Sequence, residues 1–141
     1  MSKLQHSILG ACVATLLVVP GCQYEEPDPF TAPVKVVGGT LDPDQLNRGR
    51  DAYMLYCRAC HGDNGDGYGP AAYALRPAPR DFRKGIFKFT GTQDGVPSDE
   101  SLKRIILGGL KGTAMLPWDI PEQQVDDIIA YMKTMSACDE S

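Results

Sequence analysis

The sequence predicts an all-α domain of three main helices separated by long loops. Two observations carry this expectation. Apolar residues recur at helical spacing in three stretches, around Leu46–Tyr56, Leu102–Leu110 and Val125–Met132, each opened by a capping signal. Eleven prolines and fifteen glycines in 141 residues predict extended connectors and tight turns, so long sheets are not expected. With 43% hydrophobic and 23% charged residues, the chain has material for one modest domain.

Taken in order, residues 1–21 have the layout of an exported protein's signal. Lys3 precedes the twelve-residue apolar run Ile8–Val19, which is followed by Pro20, Gly21 and Cys22. A membrane-crossing helix needs about 20 apolar residues, so a permanent span is the weaker reading. The segment Val19-Pro20-Gly21-Cys22 resembles the lipobox of bacterial lipoproteins. That resemblance implies a diacylglycerol on the Cys22 thiol and a lipid anchor on the periplasmic side of a bacterial membrane. Ordinary cleavage nearby, leaving Cys22 unmodified, is the alternative. Residues 22–41 hold Pro27, Pro29, Pro33, the acids Glu25, Glu26 and Asp28, and Gly38-Gly39, which is the composition of a tether. The competing reading has Val34, Val36 and Val37 packing as a short strand or arm.

Residues 42–141 form the expected domain. Asp42-Pro43 reads as N-cap and first helical residue, opening a helix to about Cys57. The stretch Gly62–Gly69 contains four glycines and two aspartates and is a loop; Ala71–Leu75 suggests one helical turn. Ser98 caps a middle helix that Gly108-Gly109 weakens, and Pro121-Glu122 opens the last one. A hundred residues give a small core, so a further stabilising element is expected.

That element is announced by Cys57-Arg58-Ala59-Cys60-His61. Two thiols three residues apart with an imidazole directly after is the attachment signal for c-type haem. Both thiols face one side of a helix end, where they add to the two vinyl groups of one porphyrin, and His61 then reaches the iron. The rivals are weak. Structural zinc needs four ligands, and export would leave His61 as the sole histidine. A thioredoxin-like pair needs a βαβ context that the sequence lacks.

The second axial ligand must come from elsewhere in the chain. Met1 leaves with the signal, while Met54, Met132 and Met135 sit at packing positions on helices. Met115 lies between helices, in Gly112-Thr113-Ala114-Met115-Leu116-Pro117-Trp118, and is the preferred ligand; another methionine or Lys111 is the alternative. His61 is expected to donate from its other nitrogen to a backbone carbonyl in the 62–79 loop. Arg76, Arg80 and Trp118 are candidates for holding the haem propionates.

These features together make Asp42–Met135 resemble a class I c-type cytochrome. Gly49 and Tyr53 on the first helix and Tyr131 on the last match the family's small-residue and aromatic crossing. Asp81-Phe82-Arg83-Lys84-Gly85 and Thr113-Ala114-Met115 are similar to monohaem subunits of bacterial respiratory complexes. The family often has Pro directly after the ligand Met; here Leu116 intervenes. The resemblance implies the class I cytochrome c fold around one covalent haem c, with Cys57, Cys60, His61 and Met115 as its residues. It implies an electron carrier rather than an enzyme, relaying to redox partners in a membrane electron-transfer chain. A haem with an open distal site for oxygen, peroxide or nitric oxide is the alternative function. A net charge of −4 and the lack of a long basic tract argue against nucleic-acid binding. The one basic stretch, Arg76, Arg80, Arg83, Lys84 and Lys88, is the expected docking surface for a partner.

Overall fold

A computed structural model describes residues 27–36, 38–85 and 97–136. A hairpin of β1 (Val34–Val36) and β2 (Gly39–Leu41) leads into four helices: α1 (Pro43–Tyr56), the single turn α2 (Arg58–His61), α3 (Asp99–Gly108) and α4 (Glu122–Ser136). A 3₁₀ turn covers Ala72–Ala74. The three main helices thus lie where the periodicity predicts them. Asp42 caps α1 by accepting from the Asp44 and Gln45 amides, and the Ser98 hydroxyl accepts from the Ser101 amide at the start of α3. Gly109, at φ 67°, ends α3 in a conformation that favours glycine.

The core is built where α1 crosses α4. Leu46 and Tyr53 from α1 and Val125 and Ile128 from α4 are fully buried, each burial contributing about 1.5–3 kcal/mol. Gly49 sets the spacing. A methyl group added there would overlap the Asp127 carbonyl and press on the Tyr131 Cβ, so only glycine lets the backbones approach this closely. One turn along, Tyr53 and Tyr131 meet edge to face with centroids 5.5 Å apart, a contact contributing about 0.5–1.5 kcal/mol beyond area burial. The buried Asp127 carboxylate at this crossing accepts from Arg48 Nε at 2.9 Å and Gln123 Nε2 at 3.2 Å. Removing Arg48 would therefore strand part of a buried charge. Helix α3 joins through Leu102 and Ile106 and is tied to α4 by Lys103–Asp126 and Lys133–Asp99 ion pairs, both at 2.7 Å.

The expectation of a free tether over residues 22–41 needs correction for its described part. Residues 27–36 lie on the domain, 27–30 against α1 and β1 against α4. The Phe30 amide donates to Asn47 Oδ1 at 2.9 Å, and Asn47 Nδ2 donates back to the Phe30 carbonyl at 3.0 Å. Arg50 donates to the Pro27 and Asp28 carbonyls. The Phe30 ring stands edge-on to Tyr131 at 6.1 Å. Val34 pairs with Leu41 and Val36 with Gly39 in an antiparallel register, so the arm reading of Val34 and Val36 is the one realised. Val37 lies outside the described residues. The physical reason is that the prolines fix an extended path without preventing Phe30 from reaching an aromatic on α4. Among the described residues no helix is long and apolar enough to cross a membrane.

Candidate functional site

The cysteine motif begins where α1 ends. Cys57 is the C-cap of α1, its amide bonding the Tyr53 carbonyl, and it is also the first residue before the α2 turn. The His61 amide returns to the Cys57 carbonyl at 2.9 Å, so Cys57, Cys60 and His61 are set by one helical turn. Gly69 holds this turn from outside: its amide donates to the Cys60 carbonyl, and a Cβ there would overlap the Arg58 and Ala59 carbonyls. The Gly-rich loop thereby folds back beneath the motif.

Cys57, Cys60 and His61 all open onto one cleft of about 520 Å³, within the size range of ligand and cofactor sites. Met115, in the loop between α3 and α4, lines the same cleft. Leu102, Ile106 and Leu110 of α3 and its following turn, Pro77 and Ala78 of the 75–84 loop, and Trp118 make most of its surface apolar. Trp118 is held against Tyr56 with centroids 5.3 Å apart. The Met115 loop is fixed by its own turn: the Met115 amide donates to the Thr113 hydroxyl, and the Met115 carbonyl accepts from the Leu110 amide at 2.8 Å.

His61 is positioned by two contacts. Its Nδ1 donates to the Arg80 carbonyl at 3.1 Å, which sets the tautomer and leaves the Nε2 lone pair free for a metal. The carbonyl expected in the 62–79 loop is thus one residue further on, because the chain turns back at Pro79-Arg80. Phe82 stacks on the imidazole, with centroids 4.4 Å apart and planes 19° from parallel. Burial holds His61 below its ordinary pKa and outweighs the bond to Arg80, so the ring is neutral and ligand-competent at neutral pH. Burial, assisted by the nearby Cys60 thiol, pushes Cys57 up to about 12, as expected for a thiol in an apolar wall.

The sequence-derived site residues therefore divide as follows. Cys57, Cys60, His61 and Met115 share the cleft. Met132 also reaches it from α4 while remaining in the buried core, whereas Met54 is half-buried against that core. Arg80 and Trp118 line the cleft; Arg76 instead donates to the Tyr73 and Leu75 carbonyls on an exposed turn. Lys111 is exposed. Cys22 and Lys88 lie outside the described residues. Phe82 was not anticipated as a partner of His61. Its signals in the sequence are its place in the Asp81-Phe82-Arg83-Lys84-Gly85 stretch and an apolar side chain among charges, neither of which points to His61.

Residues 44–132 match the family model for cytochrome c oxidase, cbb3-type, subunit III. The chain belongs to that family. Among solved structures it is similar to a chain of the reducing HAO-like protein complex of Kuenenia stuttgartiensis, with 33% identity and a TM-score of 0.57 over 62% of this chain and 41% of that one. It is also similar to cytochrome cL of the marine methylotroph Methylophaga aminisulfidivorans, at 18% identity and TM-score 0.50 over 66% of this chain and 56% of that one. The latter likeness supports the fold alone. The chain thus spans less than two thirds of either relative. No curated protein matches the chain. The protein is a c-type cytochrome with the class I fold and a covalently bound haem c. The cleft suits that group: two thiols set on one turn, an imidazole with its lone pair free and a thioether share a mainly apolar wall.

Proposed function

We propose that this cytochrome is an exported, lipid-anchored, single-haem electron carrier of a respiratory chain, with His61 and Met115 as axial ligands. The observation that carries the reading is the single cleft lined jointly by Cys57, Cys60, His61 and Met115. The bound haem iron supplies one-electron Fe(III)/Fe(II) chemistry. Cys57 and Cys60 would hold the macrocycle through thioether bonds, which prevents loss of a cofactor that an exported protein cannot readily replace. His61 would ligate through Nε2, its ring held by the Arg80 carbonyl and the Phe82 face. Met115 would supply a thioether, which raises the reduction potential relative to a second nitrogen ligand. The mainly apolar lining suits the faces of the macrocycle. The lipobox-like end at Cys22 supports the anchor, and the basic residues Arg80 and Lys84 at the cleft, with Arg83 nearby, support docking of an acidic redox partner.

The test is the absorption spectrum of the mature protein made with c-type maturation enzymes. A low-spin haem that resists extraction by acidified solvent and does not bind added carbon monoxide or imidazole in the parent is expected. Ready binding of such ligands by the parent would favour the open-site function instead.

A further inference from the structure

Phe30, Asn47 and Arg50 change what a lipid on Cys22 would do. We propose that residues 27–36 are a strap that shortens the lipid leash, keeping the cytochrome domain close to the lipid headgroups and restricting how far it can turn over them. This rests on the proposed lipidation of Cys22. Were residues 22–41 free, nineteen residue steps would separate the lipid from the domain and reach at most about 65 Å. Because Pro27 and Asp28 are bonded to Arg50, and Phe30 to Asn47 and Tyr131, only the five steps from Cys22 to Pro27 remain outside the strap. Five extended residues reach at most about 18 Å. A folded domain of about a hundred residues has a radius of gyration near 13 Å, hence a diameter of about 33 Å. A leash of little more than half that diameter does not let the domain turn over.

The strap attaches at Asn47 and Arg50 of α1 and at Tyr131 of α4, whose neighbour Met132 lines the cleft. A free tether would present the cleft in all orientations; a strapped one restricts the arc over which the cleft sweeps.

The experiment uses the full-length lipidated holoprotein in phosphatidylcholine vesicles carrying a headgroup-labelled fluorescent lipid, whose emission the haem quenches by energy transfer. Zwitterionic lipid avoids repulsion of Glu25, Glu26 and Asp28 by anionic headgroups. Two variants are compared with the parent: Phe30→Ala with Asn47→Ala and Arg50→Ala, which releases the strap, and a fourteen-residue Gly/Ser insertion between Glu26 and Pro27, which lengthens the leash without touching it. Both should lower quenching several-fold at equal bound protein. A protein confirmed by mass to carry diacylglycerol, yet quenching equally in all three forms, overturns the short leash and leaves the anchor standing. A mature protein without diacylglycerol overturns the anchor, and the leash with it.

Discussion

The α1–α4 crossing and the loops around the cleft solve opposite problems with the same small chain. At the crossing, Gly49, Leu46, Tyr53, Ile128 and Tyr131 fill space with protein alone, and Phe30 and Phe82 close on the two tyrosines edge to face from outside the helices. Around the cleft, the 75–84 and 109–118 loops direct apolar side chains toward a volume that protein does not fill. The comparison teaches that the cofactor is a structural partner of one half of the fold. The crossing positions the end of α1, and therefore Cys57, whereas the loops would depend on the haem that Cys57 and Cys60 are proposed to hold.

Breaking the cofactor bond should separate the two regions most sharply. The double substitution Cys57→Ser with Cys60→Ser is expected to abolish covalent haem completely, seen as loss of haem staining on a denaturing gel. Hydrogen exchange of that apoprotein should show the 75–84 and 109–118 loops losing protection while α1 and α4 at the crossing keep more of theirs. Equal loss throughout would erase the distinction.

Attacking the crossing should do the reverse. Gly49→Ala forces a methyl group onto the Asp127 carbonyl, and overpacking of this kind costs about 1–3 kcal/mol. A fall in denaturation midpoint with an unchanged haem spectrum is the expected pair of results. A smaller effect is expected at the boundary between the regions. Phe82→Leu removes the ring stacked on His61 while keeping an apolar side chain, so stability should fall by less than about 1.5 kcal/mol. The freed imidazole should turn, changing the electron paramagnetic resonance anisotropy of the ferric haem. An unaltered signal would show that the Arg80 carbonyl alone orients the ring.

The parts of the fold that were legible in the sequence are those written in local chemistry. Asp42-Pro43 and Ser98 mark helix starts because capping needs only residues a few places apart. Cys57-Arg58-Ala59-Cys60-His61 is equally local, since one turn of chain sets all three reactive groups. Gly49, Tyr53 and Tyr131 were legible only through the family resemblance, because a helix crossing joins residues about eighty positions apart. The Phe30 strap and the Phe82 stack were not legible. Prolines around Phe30 give the composition of a linker, and nothing local says that Asn47 will bond both its amide and its carbonyl. Phe82 acquires its role from the return of the chain at Arg80 onto His61. Met115 stands between these cases: its place in a loop singles it out, yet Met132 also reaches the cleft from a helix where packing explains it.

That ambiguity defines the most direct measurement: the near-infrared sulfur-to-iron charge-transfer band of the ferric protein, recorded for the parent, Met115→Ala and Met132→Leu. The band should be present in the parent, absent in Met115→Ala, which should then bind imidazole, and retained in Met132→Leu. A band that survives Met115→Ala and disappears with Met132→Leu would contradict the assignment and make the helix, rather than the loop, the source of the second ligand.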